Sequence, residues 1–132
     1  LVHLHPYWGG TAIEDAVALV LQQYAQLRDR YPSKRVVIGE TGWPSDGETV
    51  GEARPSAENL RAFAGEFVRR ANDADIEYFL FEVFDEAWKT SAEGVVGAHW
   101  GLYRSNGRLK EVLSDLLPAG IDRPARVLRP VS

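Results

Sequence analysis

The chain has 132 residues, of which 45% are hydrophobic and 11% aromatic, and its formal net charge is −4 at pH 7. This length suits one ordinary domain, and this composition supports a buried core. Because no dense block of lysines and arginines is present to neutralise phosphates, the sequence argues against a nucleic-acid partner and favours a neutral substrate.

Cysteine and methionine are both absent from the chain. The lack of cysteine excludes disulfide bonds and thiolate-bound zinc. No apolar run approaches the roughly 18 residues of a membrane span and no signal peptide is evident, so we expect no membrane insertion by this segment. Because there is no initiator methionine and the chain starts within an apolar stretch, we expect it to be cut from a longer polypeptide.

The first elements that the sequence predicts are a strand and an amphipathic helix. Residues Leu1–His5 indicate a short buried strand, which Pro6 ends because proline has no amide donor. Thr11 and Glu14 have the spacing of a capping box and predict that the helix begins there. Apolar residues then recur every three or four positions until Pro32, so one face of this helix is expected to pack on a sheet.

A second strand is predicted from the β-branched residues at 36–38 and ends at Gly42 and Pro44, which cannot continue a buried ladder. Glu40 is therefore placed at the carboxyl end of a parallel-type strand, the edge where α/β folds assemble their active sites. The plainer alternative is a glutamate that hydrogen-bonds a neighbouring loop. The polar loop 45–56 follows and is long enough to lie over this edge.

Ser56 is expected to cap a second amphipathic helix that ends near Asn72-Asp73. Residues Ile76–Phe84 predict a third strand, apolar at nearly every position and so buried on both faces. A long aromatic connection spans residues 87–108, and a last short helix carries Val112, Leu113, Leu116 and Leu117. Residues 118–132 are expected to form an extended tail or linker.

The alternation of strands and helices predicts an α/β fold with three βα units of a parallel sheet. No glycine-rich phosphate loop follows any strand, which favours part of a (β/α)-barrel over a nucleotide-binding fold. Counting alternate positions places Val36, Ile38 and Glu40 on one face of the second strand, with carboxylates of the third strand and His5 of the first strand as neighbours of Glu40.

Paired acids beside exposed aromatic rings are suited to glycosidic cleavage, because the transition state is cation-like and sugar rings stack on aromatic faces. The acids that share this edge with Glu40 are Glu82, Asp85 and Glu86. The aromatic residues near the strand ends are Tyr7, Trp8, Trp43, Trp88 and Trp100. The alternative is that these aromatic side chains belong to the core.

Three motifs carry a resemblance to a known family. The run from Gly39 to Ser45 (Gly-Glu-Thr-Gly-Trp-Pro-Ser), the run from Phe84 to Lys89 (Phe-Asp-Glu-Ala-Trp-Lys) and the run from Trp100 to Tyr103 (Trp-Gly-Leu-Tyr) together resemble glycoside hydrolase family 17, the β-1,3-glucanases and glucanosyltransferases. The sequence His-Pro-Tyr-Trp at residues 5–8 is similar to the sixth-strand motif of bacterial members. The match runs from residue 1 to about residue 117.

The resemblance implies a retaining enzyme on a (β/α)8 TIM barrel, of which residues 1–117 supply about strands 6 to 8. It implies that Glu40 is the nucleophile and that Glu86 and Lys89 support the carboxylate network and contact substrate. It also points to a glucan-binding surface made of His5, Tyr7, Trp8, Trp43, Glu82, Asp85, Trp88 and Trp100.

The resemblance further implies what this chain lacks. The general acid of the family lies at the end of the fourth strand, so it would have to come with the remaining strands, from the same parent protein or another chain. The chain alone is then expected to be inactive. No cofactor is implied, the partner is a β-glucan, and we expect a bacterial-like, extracytoplasmic or cell-envelope location. Whether the parent hydrolyses or transfers glucan is left open.

Two other functions are compatible with the residues. His3 and His5 share one face of the first strand and, with Asp85 and His99, are compatible with a metal site in a barrel hydrolase. Strand alternation argues against this metal site, because it places His3 one layer deeper than His5, where a core histidine is expected. A non-catalytic glucan-binding fragment, in which the aromatic residues bind sugar and no bond is broken, is the third possibility.

Overall fold

The computed structural model describes residues 1–120 of the chain. Three short strands, β1 (Val2–His3), β2 (Ile38–Thr41) and β3 (Tyr78–Leu80), are connected by two long helices, α1 (Ile13–Arg30) and α2 (Ala57–Asp73). A short helix α3 (Thr90–Glu93) and three 3₁₀ turns at 87–89, 95–98 and 111–113 follow. None of the described helices is long and apolar enough to cross a membrane.

The strands form one parallel sheet in the order β1-β2-β3, which confirms the predicted α/β class. Val2 pairs with Ile38, and His3 pairs with Glu40. The register shifts on both sides of β2. Because an irregular strand does not keep strict alternation of its side chains, positions cannot be counted evenly from Ile38 to Glu40. Accordingly Ile38 is fully buried in the core, whereas Glu40 contacts the histidines of β1.

The third strand is shorter than the predicted Ile76–Phe84. The Phe81 amide still donates to the Thr41 carbonyl of β2 at 2.7 Å, but the chain then pairs with the segment that follows residue 99. The Glu82 amide donates to the Trp100 carbonyl at 3.1 Å, and the Glu82 carbonyl accepts from the Leu102 amide at 2.9 Å. The prediction that this strand is buried on both faces is wrong. Phe79 in β3 is 64% exposed, because no described element covers its side of the sheet.

The two helices pack on the same face of the sheet. The buried residues of α1 are Ala16, Val17, Val20 and Tyr24, and those of α2 are Leu60, Phe63, Ala64, Phe67 and Ala71. These are members of the predicted apolar stripes, so the helix periodicity is confirmed. Burial of each valine, leucine or phenylalanine among them stabilises the fold by about 1.5–3 kcal/mol.

The predicted starts of the two helices have different outcomes. Ser56 is the N-cap of α2, and its hydroxyl accepts from the Asn59 amide at 3.0 Å, as predicted. The capping box at the start of α1 is wrong. Ala12 is the N-cap without a side-chain cap bond, and the Thr11 amide donates instead to the Pro6 carbonyl at 3.2 Å. The turn that follows Pro6 therefore displaces the helix start beyond Thr11.

The end of the described chain is less helical than expected. The predicted last helix is a single 3₁₀ turn, Glu111–Leu113. The first residues of the predicted tail are bonded to the fold, since Ala119 accepts from the Leu109 amide at 3.0 Å and Pro118 accepts from the Tyr103 hydroxyl at 3.0 Å. The rest of that prediction, residues 121–132, lies outside the described residues.

The difference between the two helix starts is testable. Ser56→Ala is expected to lower the free energy of unfolding by about 1 kcal/mol, because it leaves the Asn59 amide without its acceptor. Ser56→Asp keeps a capping oxygen and should stay close to wild type. Thr11→Ala should change stability by no more than about 0.5 kcal/mol, since its hydroxyl caps nothing. Urea unfolding measures all three, and a larger loss for Thr11→Ala than for Ser56→Ala would contradict the assignment.

Candidate active site

Glu40 lies at the carboxyl end of the central strand and contacts two imidazoles of the neighbouring strand. Its Oε2 lies 3.0 Å from His5 Nε2 and 3.4 Å from His3 Nδ1, and its side chain is 33% exposed. The parallel register explains this, because β1 and β2 pair His3 with Glu40 and the Leu4 amide donates to the Glu40 carbonyl at 2.9 Å. Both imidazoles contact Oε2 of Glu40, and neither contacts Oε1.

The expectation that His3 lies one layer deeper than His5 is wrong. The His3 side chain is 56% exposed and reaches the same carboxylate oxygen as His5, whose side chain is 16% exposed. The ring of His5 is held edge-on by Phe81 and Trp100, each with a centroid distance of 5.3 Å. His5 therefore has a fixed orientation towards Glu40, while His3 approaches from the uncovered side.

A second acid–base pair lies next to this group. Lys89 Nζ is 2.5 Å from Glu82 Oε2, and both side chains are largely buried. Burial raises the pKa of Glu82, while the hydrogen bond and the charge of Lys89 oppose the rise. The ring of Phe81 connects the two groups, because Lys89 Nζ lies 4.7 Å from its centroid and the His5 ring packs edge-on against it at 5.3 Å.

The resemblance assigns Glu86 and Lys89 to one carboxylate network, but the side chains of these two residues have different partners. The ammonium group of Lys89 pairs with Glu82. Glu86 Oε2 accepts from the indole of Trp88 at 2.9 Å. The reason is the 3₁₀ turn at 87–89, whose tighter winding turns Lys89 towards the sheet and leaves Trp88 outside, 60% exposed.

A third ion pair involves a residue that sequence reasoning missed. Lys110 is 4% exposed, and its Nζ lies 2.8 Å from both Asp85 Oδ1 and Ser45 Oγ. Burial lowers the pKa of Lys110, while the bond to Asp85 opposes that effect. Asp85 also accepts from the Gly101 amide at 2.9 Å. Asp85 was expected to bind substrate, and its Oδ1 accepts hydrogen bonds from Lys110 and from the Gly101 backbone. A lone lysine after a turn carries no sequence signal of burial.

The loop 45–56, predicted to lie over this edge, is tied to the segment that follows α3. The Glu48 carboxylate accepts from the amides of Val95 and Val96 at 3.1 and 3.3 Å, and the Glu48 carbonyl accepts from the Tyr7 hydroxyl at 2.6 Å. A Cβ at Gly47 would lie 2.6 Å from the Val96 backbone, so only glycine fits there. These contacts make the loop a fixed wall of the site.

The predicted aromatic surface is divided between core and solvent. Trp43, Tyr7 and Trp100 are at most 1% exposed, so the expected exposed stacking face of Trp43 is absent. Trp43 stacks on Phe63 with a centroid distance of 6.1 Å, and its indole N–H donates to the Arg54 carbonyl at 3.0 Å. Trp8 and Trp88 are 48% and 60% exposed, so two of the five predicted rings remain accessible to a ligand.

The metal-dependent alternative has no support in the geometry. Within residues 1–120, no group of three or more His, Cys, Asp or Glu side chains is arranged to hold a metal ion. His3 and His5 both face the Glu40 carboxylate instead.

Comparisons with known proteins identify the family of the chain. Residues 1–101 match the family model of the BtgE/BtgC glycoside hydrolase domain. A glucan 1,3-beta-glucosidase of Arthroderma benhamiae is 35% identical over 123 residues, which cover 83% of this chain and 40% of the relative. A probable family 17 glucosidase of Saccharomyces cerevisiae is 36% identical, covering 80% of this chain and 27% of the relative.

Solved structures show the same relationship. A glycoside hydrolase family 17 β-1,3-glucanosyltransferase from Rhizomucor miehei superposes with a TM-score of 0.76 at 31% identity, covering 82% of this chain and 39% of that enzyme. An active-site mutant of the Rhizomucor miehei β-1,3-glucanosyltransferase, solved with laminaritriose, also superposes with a TM-score of 0.76. An endo-laminarinase from Formosa gives 0.69 at 29% identity, with 81% of this chain covered.

The parallel α/β fold is thus that of glycoside hydrolases. The chain belongs to the BtgE/BtgC glycoside hydrolase family, and the resemblance to glycoside hydrolase family 17 is confirmed. It spans less than half the length of the relatives described above. The curated relatives named above are fungal, so they do not support the expected bacterial-like origin.

The burial of Trp43 generates a prediction about stability. Trp43→Ala is expected to lower the free energy of unfolding by about 3–5 kcal/mol, because it leaves a cavity against Phe63 and removes the indole hydrogen bond to the Arg54 carbonyl. Trp88→Ala removes an exposed ring and should cost no more than about 0.5 kcal/mol. Denaturant unfolding of both variants checks this. Equal stability of the two would show that Trp43 is not a core residue.

Glu48 generates a prediction about pH. Its own amide and the amides of Val95 and Val96 lower its pKa from the ordinary 4.5. A carboxylate with a lowered folded pKa contributes stability that is present above the unfolded value and is lost as the pH falls through the folded one. Glu48→Gln should therefore flatten the decline of the melting temperature below about pH 4.5, the unperturbed value. Glu58→Gln, an exposed change, is the control, and an identical acid profile in wild type and Glu48→Gln would contradict the assignment.

Proposed function

We propose that this chain forms part of a retaining enzyme that cleaves or transfers β-1,3-glucan, with Glu40 as the nucleophile. Glu40 carries the proposal, because it is the strand-end carboxylate with one oxygen held by two imidazoles and the other left unengaged by them. A retaining glycosidase needs such a carboxylate, oriented by hydrogen bonds but still able to attack. The relatives that act on 1,3-β-glucan by name support the substrate class.

The chemical steps follow from this role. An oxygen of Glu40 attacks the anomeric carbon as the glycosidic C–O bond breaks, and the departing oxygen takes a proton from a general acid. Water, or a hydroxyl of a second sugar, then displaces Glu40 and gives its proton to the same group. The first acceptor gives hydrolysis and the second gives transfer, and the proposal includes both.

The general acid is proposed to come from the rest of the barrel. Glu82 is the described carboxyl group with a raised pKa, but Lys89 lies on it and favours the ionised form. Asp85 is paired with Lys110. We place these residues in about strands 6 to 8 of a (β/α)8 barrel on the resemblance to glycoside hydrolase family 17. The 64% exposure of Phe79 on the uncovered face of β3 supports this placement, because further strands of a barrel would cover that face.

Sugar contacts are assigned to the accessible groups at the carboxyl edge. Trp8 packs on Tyr7 and Trp100 and keeps half of its surface free, while the exposed Trp88 is positioned by Glu86. Such supported rings suit the apolar faces of glucose units. A polymeric glucan substrate favours an extracytoplasmic location. The exposed rings also favour the second candidate, a glucan-binding fragment without turnover.

The nucleophile assignment is tested in the complete enzyme. Glu40→Gln is expected to lower kcat on a laminarin-type glucan by several orders of magnitude, since covalent catalysis is lost while the shape of the site is kept. A mechanism-based fluoro-sugar should label Glu40 and no other residue, as identified by peptide mass spectrometry.

The control is Glu58→Gln in the first turn of α2, an exposed position where wild-type kcat is expected. Near-normal turnover by Glu40→Gln, or labelling of another carboxylate, would contradict the assignment. Glucan binding by a wild-type enzyme that shows no turnover would favour the binding function instead.

A further inference from the structure

Lys110 joins three chain segments, which follow β2, β3 and the 3₁₀ turn at 95–98. Its three acceptors are Asp85 Oδ1 and Ser45 Oγ, both at 2.8 Å, and the His99 carbonyl at 3.3 Å. An ammonium group has three N–H donors, so this arrangement uses all of them. The side chain of Lys110 is 6% exposed, and no donor is left for solvent or substrate.

Each of these three segments carries groups of the candidate active site. Ser45 lies in the loop that follows β2 and Glu40. Asp85 lies between Glu82, the partner of Lys89, and Glu86, the partner of Trp88. His99 precedes Trp100, whose ring packs on His5. A movement of any one segment would therefore move a group that contacts the site.

Further bonds make the arrangement a closed network. The Ser45 amide donates to the His99 carbonyl at 2.9 Å, and the Gly101 amide donates to Asp85 Oδ1 at 2.9 Å. A Cβ at Gly101 would lie 2.2 Å from the Asp85 amide, so the two segments touch directly. Lys110 supplies the positive charge that lets Asp85 stay buried, because a buried carboxylate needs a paired donor.

From this geometry we propose that Lys110 is a positioning residue. It acts through Asp85, Ser45 and His99 to hold the segments that carry Glu82, Lys89 and Trp100 against Glu40. The role in turnover rests on the proposed function, whereas the bracing of the three segments does not.

The test compares Lys110→Met and Lys110→Arg in the complete enzyme, with Lys34→Met as a matched control at an exposed position of the same residue type. At a temperature where each variant is folded, Lys110→Met is expected to lower kcat about 10²-fold, because a misplacement of ~1 Å costs that much. KM should change little, since no substrate contact is removed. Lys110→Arg keeps the charge and should recover part of kcat, and Lys34→Met should match wild type.

A second readout needs no turnover. Amide hydrogen exchange in Lys110→Met should accelerate at Ser45 and Gly101 more than at Phe67 in the core helix α2, because the network opens locally. If Lys110→Met does not fold, the double variant with Asp85→Asn removes the unpaired buried charge and takes its place. In a double-mutant cycle with the Asp85→Asn single variant, the double variant should be no less stable than either single variant.

The outcomes separate this inference from the proposed function. Wild-type kcat in a folded Lys110→Met, or a loss that only follows the folded fraction, overturns the positioning role. Unchanged exchange at Ser45 and Gly101 overturns the bracing. If the wild-type enzyme does not act on β-1,3-glucan, the proposed function falls, and the exchange rates alone then support or overturn the bracing by Lys110.

Discussion

Parallel pairing of three strands is the constraint on which the rest of this structure depends. Parallel strands end at one edge, so side chains that are far apart in sequence become neighbours there. The pairing of His3 with Glu40 brings two imidazoles to one carboxylate oxygen. The helices α1 and α2 hold the strands in this order because both bury their apolar faces on the same side of the sheet.

Beneath the edge, the aromatic core sets the orientation of the polar groups. Trp100 and Phe81 confine the ring of His5, and Phe81 also carries the ammonium group of Lys89 on its face. A ring can therefore matter for the site without touching a ligand. This explains why a sequence rich in tryptophan beside acids points correctly to a sugar-cleaving family, although Trp43 itself belongs to the core.

The sequence predicted features that depend on local spacing and failed where distant contacts decide. Helix α2 and its Ser56 cap follow from periodicity and from one side chain, and both are confirmed. The start of α1 was wrong, because the turn after Pro6 competes for the Thr11 amide. Strand spacing predicted that His5 and Glu40 are neighbours, but Lys110 is 65 residues from its Ser45 partner, and no local pattern indicates such a contact.

The carboxylates at the carboxyl edge of the sheet differ in the charge of their partners. Glu82 and Asp85 are each paired with a lysine ammonium, so their negative charge is compensated within the protein. The contacts of Glu40 are the imidazoles of His3 and His5, of which His5 is within hydrogen-bond distance, and an imidazole carries a charge only when protonated. A nucleophile must keep its negative charge available to a developing cation-like sugar, which a permanent ion pair would weaken. Under the function proposed above, the lysine-paired acids therefore suit a supporting role, and Glu40 suits the attack on the substrate.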